Sequence, residues 1–144
     1  MSGRETSKIS IAAFERLMAE KLPLAARMGM GVESLDAGRA VMRMTCDDAL
    51  LRPGGTVGGP VMVALADVAL YAAVLSLIGP VELAVTTNLS INFLRRPPAG
   101  ALLAEAEILK LGRRLAVGAV TLHSEDVEAP VAHVTGTYSI PPRE

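Results

Sequence analysis

The stretch PVMVALADVALYAAVLSLI, residues 60–78, carries one formal charge, that of Asp67. Pro60 suits the first position of a helix, where its missing N–H would be unbonded anyway, and Gly79 followed by Pro80 is typical of a helix end. The segment is long and apolar enough for a membrane span. A carboxylate near the middle of a span would cost roughly 3 kcal/mol, so we predict a helix buried inside a protein.

The residues after this helix have the pattern of β-strands. Between Leu83 and Leu94, apolar residues alternate with mostly polar ones, which predicts a strand with one buried face and one polar face. This parity places Thr86 on the polar face. Turn sequences at 95–100, 112–113 and 125–129 separate three more strands, predicted at 101–111, 114–123 and 131–140.

A surface helix and a pair of strands are predicted before the long helix. Apolar residues recur at helical spacing between Ser7 and Met28, and Pro23 kinks or ends the first part of that helix. Gly31 to Cys46 fits two strands joined by a turn at 36–38. The segment from Asp47 to Gly59, with Pro53 and four glycines, is predicted to be a loop.

These elements predict an α+β fold in one domain, residues 1–144, with residues 1–28 as an N-terminal helical flank. A nearly all-apolar helix must be covered on most sides, and a curved antiparallel sheet wrapped around it provides that cover. Hydrophobic residues make up 51% of the chain but aromatic residues only 3%. The core must therefore consist mainly of Ala, Val, Leu, Ile and Met.

Composition also excludes some classes of function. The net charge is −1, without the clustered basic surface or the stacking aromatics that nucleic-acid binding requires. A single cysteine, Cys46, rules out an internal disulfide and fits a reducing compartment. Residues 1–10 are polar and lack the apolar stretch of a signal peptide. We expect a cytoplasmic protein that binds neither nucleic acid nor membranes.

Asp67 is the strongest candidate for a functional residue. Its neighbours on the helix are apolar, so the carboxylate has no obvious partner there, and burial without one is costly. Either it accepts structural hydrogen bonds from loop N–H groups or it performs chemistry. The second candidate is the stretch 56–60, TVGGP, where glycines lead into a helix N-terminus that could hold a phosphate or an oxyanion. An ordinary turn is the alternative there, and the ending of a P-loop is absent.

Other polar residues are weaker candidates. Five cations at predicted turns could bind phosphate groups or could simply be solvated: Arg95, Arg96, Lys110, Arg113 and Arg114. His123 and His133 fit surface positions, Cys46 fits packing, and no metal-ligand spacing is present.

Several stretches resemble the hotdog-fold acyl-CoA thioesterases of the phenylacetyl-CoA thioesterase (PaaI-like) family. They are 52–60, 65–67, 88–96 and 111–114, and the likeness covers roughly residues 29 to 141. The family pattern places Asn, x, x, Gly, x, x, His-Gly-Gly before the helix and an acidic residue nine positions after the His. Asp67 lies nine positions after Gly58, so the register agrees without a gap.

The resemblance implies a fold, a reaction and a set of roles. Asp67 would act as general base on water or as nucleophile on the thioester carbonyl, the Gly59 N–H would bind the thioester oxygen, and Thr86 would help to position water. Four arginines, Arg95, Arg96, Arg113 and Arg114, would hold the nucleotide end of coenzyme A. The substrate would be an acyl-CoA, no metal or other cofactor would be needed, and the site would form between two protomers of a homodimer that pairs into a tetramer.

The sequence departs from the family pattern at three positions. Arg52 replaces the usual Asn, Gly58 the usual His, and Pro60 the usual second Gly. Arg52 could pair with Asp67 of the partner subunit or meet an acidic substrate, and both Arg52 and Gly58 are expected to contact the substrate. The changes leave open a non-catalytic acyl-CoA or lipid-binding protein, whereas a dehydratase would need a histidine in the site. The acyl group and the choice between base and nucleophile also stay open.

Overall fold

The computed structural model describes residues 6–142, so the first five residues of the predicted N-terminal flank lie outside the described part. The predicted surface helix is two helices, α1 (Ile11–Lys21) and α2 (Pro23–Arg27). Ser10 caps α1 by accepting a hydrogen bond from the Ala13 N–H. Pro23 begins α2, as its fixed φ and missing N–H favour.

Six strands form one antiparallel sheet in the order β1-β2-β6-β7-β8-β5. Their bounds agree with the predicted strands to within two residues: β1 (Gly31–Asp36), β2 (Arg39–Cys46), β5 (Val85–Phe93), β6 (Gly100–Leu111), β7 (Leu115–Ser124) and β8 (Ala132–Ser139). The predicted loop before the long helix is more ordered than expected. It contains a short hairpin, β3 (Leu51–Arg52) and β4 (Thr56–Val57), which pairs with Pro98 through a bridge from Thr56.

The long helix α3 (Gly59–Ile78) begins one residue earlier than predicted, with Gly58 as its N-cap. It ends at Gly79, whose φ of 86° favours glycine. The helix is long and apolar enough to cross a membrane, but 72% of that apolar window is buried inside the protein. The sheet wraps around it, and α3 packs against β1, β2 and β5 to β8. The predicted arrangement of one helix covered by a curved sheet is therefore confirmed.

Two glycines allow the helix to approach the sheet closely. Gly118 on β7 and Gly136 on β8 are cross-strand partners, and both face Leu70 of α3. A Cβ atom at Gly118 would lie 2.5 Å from the Leu70 side chain, and one at Gly136 would lie 2.7 Å from it. Only residues without side chains fit here, so this pair fixes how deeply α3 sits on the sheet.

We expect Gly136→Ala to lower the free energy of unfolding by about 2 kcal/mol or more, because the added methyl group overpacks a closed core. Its Cβ would also lie 2.6 Å from Leu89. Urea unfolding measures the change. Gly31→Ala is the matched control, since the Cβ atom there would have Glu15 Oε2 as its nearest neighbour, at 3.9 Å.

The Leu70→Ala background makes this test specific. If the close approach to Leu70 is the cause, Gly136→Ala costs less stability in that background than in the parent. An equal cost in both backgrounds would show that the Leu70 contact is not the constraint.

Candidate active site

Asp67 lies in the third turn of α3, half-buried, facing the β5–β8 end of the sheet. Two hydroxyl groups donate to its Oδ1 atom, Thr86 Oγ1 at 2.7 Å and Tyr138 Oη at 2.7 Å. The Tyr138 hydroxyl also lies 3.1 Å from the main-chain oxygen of Asp67. The carboxylate thus receives its hydrogen bonds from sheet side chains, not from the loop N–H groups considered as an alternative.

The direction of Thr86 differs from the strand parity of the sequence. A β-bulge shifts the register of β5 against β8 between Thr86 and Asn88, so that Thr86 pairs with Tyr138 and Asn88 with Thr137. The extra residue turns Thr86 inward, onto the same face as Leu89. The prediction of a polar, outward position for Thr86 was wrong, because a bulge inverts the alternation and redirects a side chain.

Tyr138 was not predicted as a site residue. Its side chain is only 3% exposed and faces inward from β8. Two signals pointed to it: the chain has two tyrosines and no tryptophan, and a buried tyrosine hydroxyl needs a hydrogen-bond partner. Neither signal identifies Asp67 as that partner, since this contact depends on the packing of α3 against β8.

The carboxylate opens into a cleft of about 200 Å³. Its walls are mainly apolar or aromatic and come from the α1–α2 break, α3, the loop before β5, β5 and β8. The lining residues are Leu22, Asp67, Val68, Tyr71, Glu82, Ala84, Val85, Thr86 and Tyr138. We call this space the Asp67 cleft.

The start of α3 has one open N–H group in its first turn. Pro60 has no N–H, while the N–H groups of Val61 and Met62 donate to the Gly58 oxygen at 3.1 and 3.4 Å. The Gly58 N–H donates to Leu50 O at 3.3 Å. Among the described residues, the Gly59 N–H has no recorded partner, so it is the donor left for a ligand oxygen.

Gly58 and Gly59 differ in their surroundings. Gly58 has an ordinary extended φ of −70°, and the nearest atoms to a Cβ there would be Pro60 Cδ at 3.7 Å and Leu50 O at 3.8 Å, so a side chain has room. A Cβ at Gly59 would lie 3.2 Å from Phe93 Cζ. A side chain such as the imidazole that is usual at this position would therefore fit at Gly58, whereas a side chain at Gly59 would crowd Phe93.

A second cleft, of about 380 Å³, lies at this helix start. We call it the Gly59 cleft. Three of the predicted substrate-binding cations line it, all of them exposed: Arg52 from β3, and Arg95 and Arg96 from the turn after β5. One Arg95 nitrogen donates to Pro130 O at 2.7 Å. Among residues 6–142, Arg52 forms no ion pair.

Asp67 and Gly59 are not brought together within one chain. They are eight residues apart on the same helix, which corresponds to about 12 Å along its axis. Gly59 lies beside Phe93 at one end of β5, and Asp67 bonds Thr86 near the other end. A single chain thus presents the two predicted catalytic groups in separate clefts.

The predicted basic residues lie at two opposite ends of the sheet. On β8, Ser139 pairs with both Val85 of β5 and Leu115 of β7, whereas Ala132 pairs with both Phe93 and Leu122. The turn after β5 and the turn before β7 are therefore at opposite ends of the sheet, roughly 27 Å apart. Arg95 and Arg96 belong to the first turn, Arg113 and Arg114 to the second, and the Arg114 Nε donates to Ile140 O at 2.7 Å.

The remaining polar candidates lie outside both clefts. His123 contacts Glu105 at 3.2 Å on the outer face of the sheet, and His133 is exposed. Cys46 is buried, and burial, with a smaller effect of the Asp47 charge, raises the pKa of its thiol, as expected of a packing residue. In the part of the chain that the structure describes, no three His, Cys, Asp or Glu side chains converge as metal ligands would.

The two tyrosines give a direct test of this packing. Burial, with the charge of Glu82, raises the pKa of Tyr71 from 10.0 to about 12. Burial and the Asp67 charge raise the pKa of Tyr138 further above its usual range. Because the chain has no tryptophan, tyrosinate absorbance reports these two groups alone.

We expect the folded protein to show no tyrosinate signal near pH 10, whereas the urea-unfolded chain ionises both rings there. The raised pKa values stabilise the folded state below about pH 10, and this contribution is lost as the pH rises toward the folded values. A one-tyrosine step near pH 10 in the folded protein would contradict the described burial.

Known proteins resemble this chain in both sequence and fold. The sequence model of the thioesterase superfamily matches residues 54–131. A candidate thioesterase from Silicibacter sp. TM1040 shares 47% sequence identity over 94% of this chain and 94% of its own, with a TM-score of 0.85. No protein of curated function matches the sequence.

Two PaaI structures are also similar. A variant of the phenylacetic acid degradation protein PaaI from Thermus thermophilus shares 32% identity, with 83% of this chain and 99% of that chain covered and a TM-score of 0.75. The E. coli PaaI protein of the phenylacetic acid degradation operon shares 26% identity, with 92% and 97% covered and a TM-score of 0.80. The chain therefore belongs to the thioesterase superfamily and has the hotdog fold of its PaaI-like members.

Proposed function

We propose that this thioesterase-superfamily protein hydrolyses acyl-CoA thioesters to a carboxylic acid and free coenzyme A, with Asp67 as the reacting carboxylate. The observation that carries the proposal is the hydrogen bonding of Asp67. A half-buried carboxylate on an apolar helix is held at one oxygen by two hydroxyl groups and opens into a cleft. Such an arrangement fixes the direction of a base or nucleophile.

The second catalytic group would come from another copy of the chain. β5 is the last strand of the sheet, so within residues 6–142 one of its edges has no neighbouring strand. At its ends Val85 is 57% exposed and Phe93 52% exposed. Antiparallel pairing of two β5 strands about a two-fold axis would cover this edge and these side chains.

Such pairing also joins the two clefts. The Phe93 end of one β5 would lie beside the Thr86 end of the other. Because Gly59 contacts the Phe93 end and Asp67 the Thr86 end, the Gly59 cleft of one protomer would meet the Asp67 cleft of its partner. A homodimer would then contain two equivalent sites, and its further pairing into a tetramer remains our expectation from the family.

The chemistry can follow two routes at this site. Asp67 can accept a proton from water while the water oxygen adds to the thioester carbon, or it can itself add to that carbon and form a mixed anhydride that water then cleaves. In both routes the carbonyl oxygen becomes an oxyanion beside the Gly59 N–H, the C–S bond breaks, and the thiolate of coenzyme A takes up a proton.

Cations in the Gly59 cleft would bind the nucleotide end of the substrate. Arg52, Arg95 and Arg96 line the Gly59 cleft, where guanidinium groups can bind phosphates bidentately. In the proposed dimer, the turn with Arg113 and Arg114 of the partner subunit would lie at the same end, about 14 Å or three strand spacings away. The two basic turns that lie far apart in one chain would thus approach each other across the interface.

We expect the parent to release thiol from at least one member of an acyl-CoA panel of aryl and aliphatic chains, and Asp67→Asn to lower kcat about 10²- to 10⁴-fold. The Asn oxygen can still accept from Thr86 and Tyr138, so the fold should persist. Asp126→Asn is the matched control, because it removes an exposed carboxylate at a φ of 64° that Asn tolerates.

Two other outcomes would contradict the proposal. Parent-like hydrolysis by Asp67→Asn would exclude Asp67 as the reacting group. Acyl-CoA binding without turnover over the whole panel would favour a non-catalytic binding protein.

The role of the Gly59 N–H can be separated from the effect of a side chain. Gly59→Ala and Gly59→Pro both add a Cβ near Phe93, but only Gly59→Pro removes the N–H. Proline fits the first helical position, and the extended Gly58 before it is compatible. We expect Gly59→Pro to lower kcat about 10²- to 10³-fold more than Gly59→Ala does. Equal losses in the two variants would show that the N–H does not bind the oxyanion.

A further inference from the structure

The two oxygens of Asp67 are used unequally. Both hydroxyl donors, from Thr86 and Tyr138, bond Oδ1 at 2.7 Å. A carboxylate can accept about four hydrogen bonds over its two oxygens. Among the described residues no donor to Oδ2 is recorded, so Oδ2 is the oxygen that remains for a molecule in the Asp67 cleft.

Tyr138 also ties the side chain of Asp67 to the helix backbone. Its hydroxyl proton is shared between Oδ1 and the main-chain oxygen of the same residue, at 2.7 and 3.1 Å. The terminal torsion of an aspartate is broad and has no strong intrinsic preference. A donor anchored to both ends of the residue restricts that torsion, which the Thr86 hydroxyl alone does not do.

The ring of Tyr138 is itself held by packing. It stacks on Tyr71, with the ring centroids 5.9 Å apart and the ring planes at 27°. The Tyr71 ring in turn packs against Phe14 of α1, again with the ring centroids 5.9 Å apart. The chain has two tyrosines and two phenylalanines, so three of its four aromatic side chains form one column that ends at Asp67. A hydroxyl at the end of such a column has little freedom to leave its partner.

The Tyr138 hydroxyl keeps the proton that it donates to Asp67. Burial and the neighbouring Asp67 charge raise its pKa above the usual tyrosine range. The group is therefore protonated and able to donate at neutral pH.

We propose that Tyr138 is a positioning residue, which together with Thr86 holds Oδ1 so that Oδ2 is the reacting oxygen. This inference rests on the proposed function of Asp67. In the general-base route Oδ2 accepts the proton of the attacking water. In the nucleophilic route Oδ2 forms the bond to the carbonyl carbon, the C–S bond breaks, and coenzyme A leaves as the thiolate.

Tyr138→Phe tests the proposal with the best substrate of the acyl-CoA panel. We expect kcat to fall about 10- to 100-fold while KM changes by less than about threefold, because orientation is lost but binding is kept. A merely structural role would reduce the amount of folded protein and leave the kcat per folded molecule unchanged.

Tyr71→Phe is the matched control. It removes the same hydroxyl from the neighbouring ring of the column, where the group donates to the main-chain oxygen of Glu82 at 3.0 Å. We expect this variant to lower kcat less than Tyr138→Phe does, because it leaves both donors to Oδ1 in place. Urea unfolding of both variants shows whether any loss of rate comes from loss of folded protein.

Thr86→Val removes the second hydroxyl group that donates to Asp67 Oδ1. Since both hydroxyls hold Oδ1, we expect the double variant with Tyr138→Phe to lose more rate than the product of the two single losses. If Tyr138→Phe is too unstable to assay, a Thr86→Val variant with a lower kcat and an unchanged KM supports the shared hold on Oδ1, and a parent-like kcat contradicts it.

The possible failures are distinguishable. An inactive Asp67→Asn together with a Tyr138→Phe variant that keeps the kcat and the KM of the parent would overturn the positioning role alone. A fully active Asp67→Asn would overturn the proposed function and the positioning role together.

Discussion

The Asp67 carboxylate is the only charge on the twenty-residue helix α3, and its burial requires hydrogen-bond donors from outside that helix. Tyr138 and Thr86 supply them from two adjacent strands. The helix can reach these strands because two glycines of the sheet leave room for Leu70, one turn further on. Apolar packing thus sets the depth of the helix, and that depth brings the carboxylate within reach of its donors.

The sequence predicted those features that depend on local pattern. An apolar segment with helix-breaking residues at both ends predicted the bounds of α3 to within one residue. The single charge on that segment identified Asp67 as a candidate site residue. The direction of Thr86 was not predictable from alternation, because a single extra residue in β5 inverts the parity. To predict Tyr138 as a site residue, one must know which strand packs beside Asp67, and neither periodicity nor spacing contains that information.

Strand order explains the division of the arginines, and it is the reason why the proposed site would draw on a second chain. Because β8 lies between β7 and β5, the turns that carry Arg113 and Arg95 lie at opposite ends of the sheet. The same order leaves β5 at an edge, with the Gly59 cleft at one end and the Asp67 cleft at the other. At the helix start, where Gly58 carries no side chain, positive potential in the Gly59 cleft comes from the open N–H and from arginines that include Arg52.

The central claim is that one site uses Asp67 from one protomer and Gly59 from its partner. The most direct measurement is acyl-CoA hydrolysis by a mixture of Asp67→Asn and Gly59→Pro chains, refolded together and checked by mass spectrometry for mixed dimers. Each mixed dimer would contain one intact site, so an equal mixture should recover about a quarter of the parent activity, although neither variant alone is active. Mixed dimers that form but stay inactive would contradict a site shared between two chains.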